Sequence, residues 1–174
     1  MPIYHIKDRK PQIDETAWIA PSAEIIGDVR IGKYCYVGWG AILRGDYGTI
    51  IIGDETAVEE GVIIHARPMG TAQFGKRVTI GHGALIHNAT VKDCALIGMR
   101  ATVSDYSEIG EWSLIAEGAL VTRKQIVPPG KIYAGVPAKE LGDLKEHNRQ
   151  EWELAKQIYV DLAKRYGHEC ILAK

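Results

Sequence analysis

Residues 91–133 read VKDCALIGMRATVSDYSEIGEWSLIAEGALVTRKQIVPPGKIY, and one spacing runs through them. Val91, Ile97, Val103, Ile109, Ile115, Val121, Val127 and Tyr133 follow one another at intervals of six. An amphipathic helix repeats at three and four residues, and a half-buried strand at two. An interval of six describes a short flat face with one aliphatic side chain, then a corner, then the next face. Three faces close a triangular turn of 18 residues, so each repeat stacks on the one 18 residues earlier. A period of this kind is the signature of a solenoid.

The same spacing extends towards the N-terminus. It links Ile19, Ile25, Ile31, Val37 and Leu43, breaks, and resumes at Ile52, Val58 and Ile64. A loop, Ala66 to Gln73, interrupts it before Phe74, Ile80 and Ile86, after which one residue is lost and Val91 takes up the run. Small residues recur four places after the aliphatic one, at Cys35, Ala41, Thr56, Ala84, Ala101, Ser107, Ser113 and Ala119. Tight interior corners hold small side chains, so Cys35 reads as packing. Residues 1 to about 17 lack a strong period, and His5, beside Asp8 and Arg9, reads as a surface residue. Pro137 marks a boundary. From Ala138 the chain becomes charged, with Leu141, Leu144, Leu154, Ile158, Leu162 and Tyr166 at helical spacing. The expected organisation is a coil over 1–137 and, over 138–174, an amphipathic helix capped at Gly167 and packed on the coil or on a neighbouring subunit.

Composition narrows the function. The 174 residues are 46% hydrophobic and 25% charged, with a net charge of -1 and no basic run, which gives no support for binding nucleic acid or a membrane surface. The N-terminal segment MPIYHIKDRK has no long apolar stretch and reads as neither signal peptide nor transmembrane helix. Three widely spaced cysteines, Cys35, Cys94 and Cys170, do not make a disulfide framework and point to a reducing cytoplasm.

The histidines carry the chemical signal. His65 follows Ile64 and His87 follows Ile86, so with the loop treated as an insertion they occupy equivalent positions on adjacent turns, about 4.8 Å apart along the stack. Two imidazoles at that spacing can converge on one ion at about 2.0–2.1 Å from each nitrogen. His82 follows Ile80 by two residues and lies towards another face. A neighbouring subunit could bring it to the same ion, and triangular solenoids pack naturally as cyclic trimers. A lone histidine is usually a surface or hydrogen-bonded residue, and spacing alone favours that reading; the stacked register strengthens the case for ligands.

Four segments, ILRGDYGTIIIGD, VIIHARP, VTIGHGALIHNATVKDCALIGMRATVSD and VPPGKIYAGVPAK, resemble the γ-class carbonic anhydrases over most of residues 11–137. The resemblance implies a mostly β fold, a left-handed parallel β-helix of triangular coils that forms homotrimers. Left-handedness comes from the family and is an exception to the usual right-handed crossover. By the same match His65 and His87 bind the metal from one subunit and His82 from the next, with Zn²⁺ as the ion and Fe²⁺ or Co²⁺ as alternatives. The implied reaction is reversible hydration of CO₂ to bicarbonate by a hydroxide formed on the metal. Arg44 and Asp46 match the family's charged pair beside the site, and Tyr159 is the best match for a tyrosine late in the helix.

The sequence also departs from that pattern. The family often has Asn-x-Gln-Asp before the first histidine, and here the stretch is Ala57-Val58-Glu59-Glu60. Glu59 puts a carboxylate near the metal, and Glu60 stands as a partner for Arg44. A glutamate of the founding enzymes falls at Tyr47, and Ala66 to Gln73 contains no carboxylate to shuttle protons. Two other classes share the coil. One is a hexapeptide-repeat acyltransferase or thioesterase acting on acyl-CoA, using a histidine as general base or the metal as activator. The other is a non-catalytic trimeric assembly module.

Overall fold

The computed structural model describes residues 2–173. They form a left-handed β-solenoid of about seven turns with parallel strands and a C-terminal helix, α1 (Glu146–Glu169). Three faces repeat along the chain. The first includes the start of Glu24–Ile31 and of Ile42–Ile52, then Ile63–His65, Leu85–His87, Thr102–Val103 and Leu120–Val121. The second takes the ends of those two long strands, then Thr71–Phe74, Thr90–Val91, Glu108–Ile109 and Ile126–Val127. The third runs from Trp18–Ile19 to Lys131–Ala134 and ends on an antiparallel strand, Lys139–Asp143. Leu96 pairs with Leu114 and Leu114 with Ile132, an 18-residue stack, whereas Ile64 pairs with Ile86 across the inserted loop.

The repeat has a backbone cause. At most corners the third residue after the aliphatic one takes a left-handed φ, as at Tyr34 (52°), Arg77 (52°), Cys94 (57°), Arg100 (56°), Tyr106 (59°), Trp112 (56°) and Lys124 (62°), whereas the turns after Leu43, Ile64 and Ile86 are built differently. That single residue turns the chain through the corner. L-residues adopt this conformation at a cost of roughly 1 kcal/mol or more, offset by the ladder hydrogen bonds and aliphatic burial on either side. The next residue points inward under the corner, and Cys35, Ala41, Thr56, Ala84, Ala101, Ser107, Ser113 and Ala119 are all buried there. Cys35 donates its thiol to the Gly53 carbonyl at 3.1 Å, and burial pushes its pKa up to about 12, which keeps it an inert packing group.

Several expectations are corrected. The weakly patterned N-terminus adds two short strands, Ile3–Tyr4 and Gln12–Ile13, both parallel to Glu24–Ile31. The break after Leu43 is one continuous strand, Ile42–Ile52, bent across two faces, with Leu43, Ile50 and Ile52 all buried. The loop after His65 closes by Gly70, because Thr71–Phe74 already pairs with Thr49–Ile52. Lys139–Asp143 is a strand, so the helix begins later than Ala138, and it passes through Gly167 to Glu169. Its buried residues are Lys156, Val160 and Ala163, with Tyr159, Leu162 and Tyr166 packed beside them, whereas Leu154 and Ile158 are 71% and 59% exposed. The face is set by an aromatic cluster on the third face: Trp18 stacks on Tyr36 at 5.1 Å, and Tyr166 meets Trp18 edge-on at 5.0 Å. No helix among the described residues is long and apolar enough to cross a membrane.

Lys156 is the unexpected member of that interface, only 2% exposed, with Nζ 3.1 Å from Thr79 Oγ1 and 3.4 Å from the Ala95 carbonyl. Burial pushes its pKa down to about 8, against the pull of Cys94 and Glu153. Between about 8 and the free lysine's 10.5 the unfolded chain binds the extra proton, so this group's contribution to stability rises with pH across that window. Lys156→Met is therefore expected to be more stable than wild type at pH 7 by on the order of 1–3 kcal/mol. Denaturant titrations of both proteins should show that advantage shrinking as pH rises from 8 towards 10.5. An advantage of constant size, or a loss at pH 7, would contradict the assignment.

Candidate metal centre

The predicted site residues fall into two groups at opposite ends of the first face. His65 ends Ile63–His65 and His87 ends Leu85–His87, in direct register, with Arg44 paired to His65 one coil below. Their rings lie 5.0 Å apart between centroids, and His65 Nδ1 is 3.1 Å from His87 Nε2. Each ring is held from behind by a carboxylate. Asp46 Oδ1 is 3.0 Å from His65 Nε2, and Asp105 Oδ1 is 2.7 Å from His87 Nδ1. Arg44 Nη1 donates to Asp46 Oδ2 at 2.5 Å. Burial works against the charge on Asp46, but the hydrogen bonds from His65 and Arg44 prevail and hold its carboxyl below the usual range.

These contacts decide which nitrogens face each other. An ionised carboxylate only accepts, so the nitrogen facing it carries the hydrogen. In the neutral rings, His65 Nδ1 and His87 Nε2 are then both lone pairs, 3.1 Å apart. A proton or a cation between them satisfies that arrangement. The separation is close to the edge, about 3.3 Å, of a tetrahedron built on metal–nitrogen bonds of about 2.0–2.1 Å. The pair therefore fits two ligands of one tetrahedral ion.

His82 belongs to the other group. It occupies the corner between Thr79–Ile80 and Leu85–His87, so the strand Leu85–His87 separates it from the His87 ring. Within one chain the three histidines do not converge, and among the described residues no group of three or more His, Cys, Asp or Glu is arranged around a metal position. Instead His82 sits between two carboxylates, Glu59 Oε2 at 3.1 Å from Nε2 and Glu60 Oε2 at 2.8 Å from Nδ1. Glu59 also accepts the His82 backbone N–H at 3.0 Å, and Tyr36 donates its hydroxyl to Glu60 at 2.6 Å. Glu60 is thus occupied by Tyr36 and His82, and Arg44 takes Asp46 in its place. Burial pushes the Glu59 carboxyl up, opposed by the facing Tyr159 phenol and by His82. Tyr159, brought in by α1 against Tyr36 at 5.1 Å, belongs with this corner and not with the His65–His87 pair.

Asp105 is the residue that sequence reasoning missed. The signal was available: one coil above His87 the repeat gives Ser104, and Asp105 is next to it. Tyr47 is exposed, and its backbone N–H donates to Asp46 Oδ1 at 3.0 Å, so it supports that carboxylate through the main chain.

No family model matches the chain. Gamma carbonic anhydrase 2, mitochondrial, of Arabidopsis thaliana is 32% identical over 96% of this chain, which spans 62% of that protein's length. The carbonic anhydrase of Geobacillus kaustophilus is 35% identical, covering 94% of this chain and 90% of its own. Among solved structures, a Bacillus cereus protein provisionally described as an acetyltransferase superposes with a TM-score of 0.93 at 34% identity, over 94% of this chain and 95% of that one.

The loop behind His65 has no slack. A Cβ on Gly48 would lie 2.4 Å from the Arg67 carbonyl oxygen and 2.6 Å from Ala66 Cβ. Gly48→Ala must push the Ala66–Gly70 loop away from the strand. The expected cost is about 1–3 kcal/mol, read as a lower urea midpoint. An unchanged midpoint would mean that the loop is free to move.

Proposed function

The chain belongs to the γ-carbonic-anhydrase-like family of hexapeptide-repeat proteins, and from that premise we propose that it is a trimeric metalloenzyme that hydrates CO₂ reversibly. The observation that carries this reading is the stacked pair of imidazoles, His65 and His87, with bare nitrogens facing at 3.1 Å and a carboxylate behind each ring. Zn²⁺ is the first choice for an all-imidazole ligand set, with Fe²⁺ and Co²⁺ as alternatives. His82 of a neighbouring subunit supplies the third ligand, one of its two carboxylates giving up its nitrogen. The bound metal supplies Lewis acidity, which makes water a nucleophile near neutral pH. The protein's own residues do the rest. Asp46 and Asp105 hold the two ring tautomers, and Arg44, paired with Asp46 and part-exposed, presents positive charge to the anionic product.

The surface between the two half-sites supports assembly across it. Ile63 and Leu85 point outward from the middle of the first face, 41% and 42% exposed, with Trp39 and Met99 also exposed beside the His82 corner. An apolar strip of this kind, flanked by polar half-sites, suits a heterologous interface that closes on itself. A ring of three then brings the trailing edge of one first face to the leading edge of the next. The three free cysteines support a reducing, cytoplasmic setting.

A second reading has its own observation. His87 backed by Asp105 is the geometry of a general base oriented by a carboxylate, and the Bacillus cereus neighbour suggests acyl transfer or thioester hydrolysis on an acyl-CoA. That chemistry needs one histidine and no third ligand from a neighbour.

Subunit mixing separates the two. His65→Ala and His82→Ala proteins are unfolded together and refolded, and bound metal is measured. A His82→Ala subunit followed by a His65→Ala subunit rebuilds one intact site, and random mixing makes about three-quarters of trimers mixed, so roughly a quarter of wild-type sites should return. His65→Ala mixed with His87→Ala should recover none. Mixed trimers that bind no more metal than either parent would reject the shared site.

A further inference from the structure

We infer that Arg67 and Asp105 are a positioning pair for His87, and that they set how tightly the centre holds its metal. The inference rests on the metal reading above. Asp105 uses both oxygens: Oδ1 faces His87 Nδ1 at 2.7 Å, and Oδ2 accepts from Arg67 Nη1 at 3.1 Å. The same plan appears at the coil below, where Asp46 faces His65 with Oδ1 at 3.0 Å and Arg44 with Oδ2 at 2.5 Å. The centre is thus built from two Arg–Asp–His relays, one behind each ring. The resemblance to the carbonic anhydrases points only to the Arg44–Asp46 relay.

The second relay ties three coils together. Arg67 comes from the loop after His65, and its backbone N–H is held by Asn88 Oδ1 at 3.2 Å, the residue following His87. Asp105 comes from the corner after Thr102–Val103, one coil above. A free aspartate at a corner would rotate, and the guanidinium removes that freedom. The carboxylate then fixes the Nδ1–H tautomer of His87 and makes Nε2 the better ligand. Arg67 is part-exposed, so its ion pair adds little to folding stability. Metal affinity and stability can therefore be changed separately.

The test measures the zinc dissociation constant by competition with a chromophoric chelator. The proteins are wild type, Asp105→Ala, Asp105→Asn, Arg67→Ala and Arg67→Lys. Nitrogen NMR of the histidine rings is recorded on the metal-free wild type and Asp105→Ala. Asp105→Ala is expected to weaken zinc binding by about 10–100-fold, with Asp105→Asn and Arg67→Ala weakening it less. Arg67→Lys should restore most of what Arg67→Ala loses. The His87 ring should be a single Nδ1–H tautomer in the wild type and a mixture in Asp105→Ala, with unfolding midpoints unchanged within about 2–4 °C. Wild-type affinity in Asp105→Ala, or a tautomer that survives it, overturns the assignment. If the wild type itself binds no zinc, the metal reading falls, and the ring tautomer alone decides whether Asp105 positions His87.

Discussion

His87 stands over His65 because Ile86 stands over Ile64, and that register governs the rest of the molecule. In a parallel ladder a slip of one residue turns every side chain to the other face, which here would drive both imidazoles into the core. The slip is prevented by the inward aliphatic side chain on each coil and by left-handed corner residues, here Asn88 (φ 50°) two places after Ile86. Neither feature belongs to the site, yet together they deliver two ring nitrogens to 3.1 Å. The chemistry is carried by outward positions at the corners, where the ladder leaves side chains free to be polar.

The same geometry explains why the three histidines fall into two groups. A face is only three or four residues wide, so residues at its two ends cannot meet within one coil. His82 at the leading corner and His87 at the trailing corner of Leu85–His87 are held apart by the strand between them. Each half carries its own support: arginine–aspartate pairs behind His65 and His87, and tyrosine–glutamate pairs behind His82. The helix α1 contributes only to the second half, through Tyr159. Its docking surface combines aromatic contacts with Trp18 and Tyr36, an ion pair between Glu153 and Arg77, and the buried Lys156.

Much of this was legible in the sequence. The six-residue spacing shows the coil, because inward positions must be aliphatic and corners small, and the stacking of His65 and His87 follows by counting. Other features carry no such mark. Glycine marks the left-handed corners at Gly40, Gly61, Gly83, Gly118 and Gly130, but Tyr34, Arg77, Cys94 and Trp112 fill others and carry no composition signal for that conformation. The long strand Ile42–Ile52 replaces a corner with a bend and hides the period. Lys139–Asp143 has helical spacing but pairs antiparallel with Lys131–Ala134, whose free edge offers unpaired main-chain groups. The helix stripe misleads for a related reason: aromatic side chains on the coil select Tyr159 and Tyr166 over the exposed Leu154 and Ile158. Asp105 escaped notice because its role depends on a neighbour 18 residues away and not on any local pattern.

The central claim is one ion shared by two chains. A diffraction map of the zinc-soaked protein, phased on the anomalous signal at the zinc edge, tests it most directly. The account predicts one peak per chain, about 2.0–2.1 Å from nitrogens of His65 and His87 and from a nitrogen of His82 in the adjacent chain. A peak bound only by His82 with Glu59 and Glu60 inside one chain, or no peak at the His65–His87 pair, would contradict it.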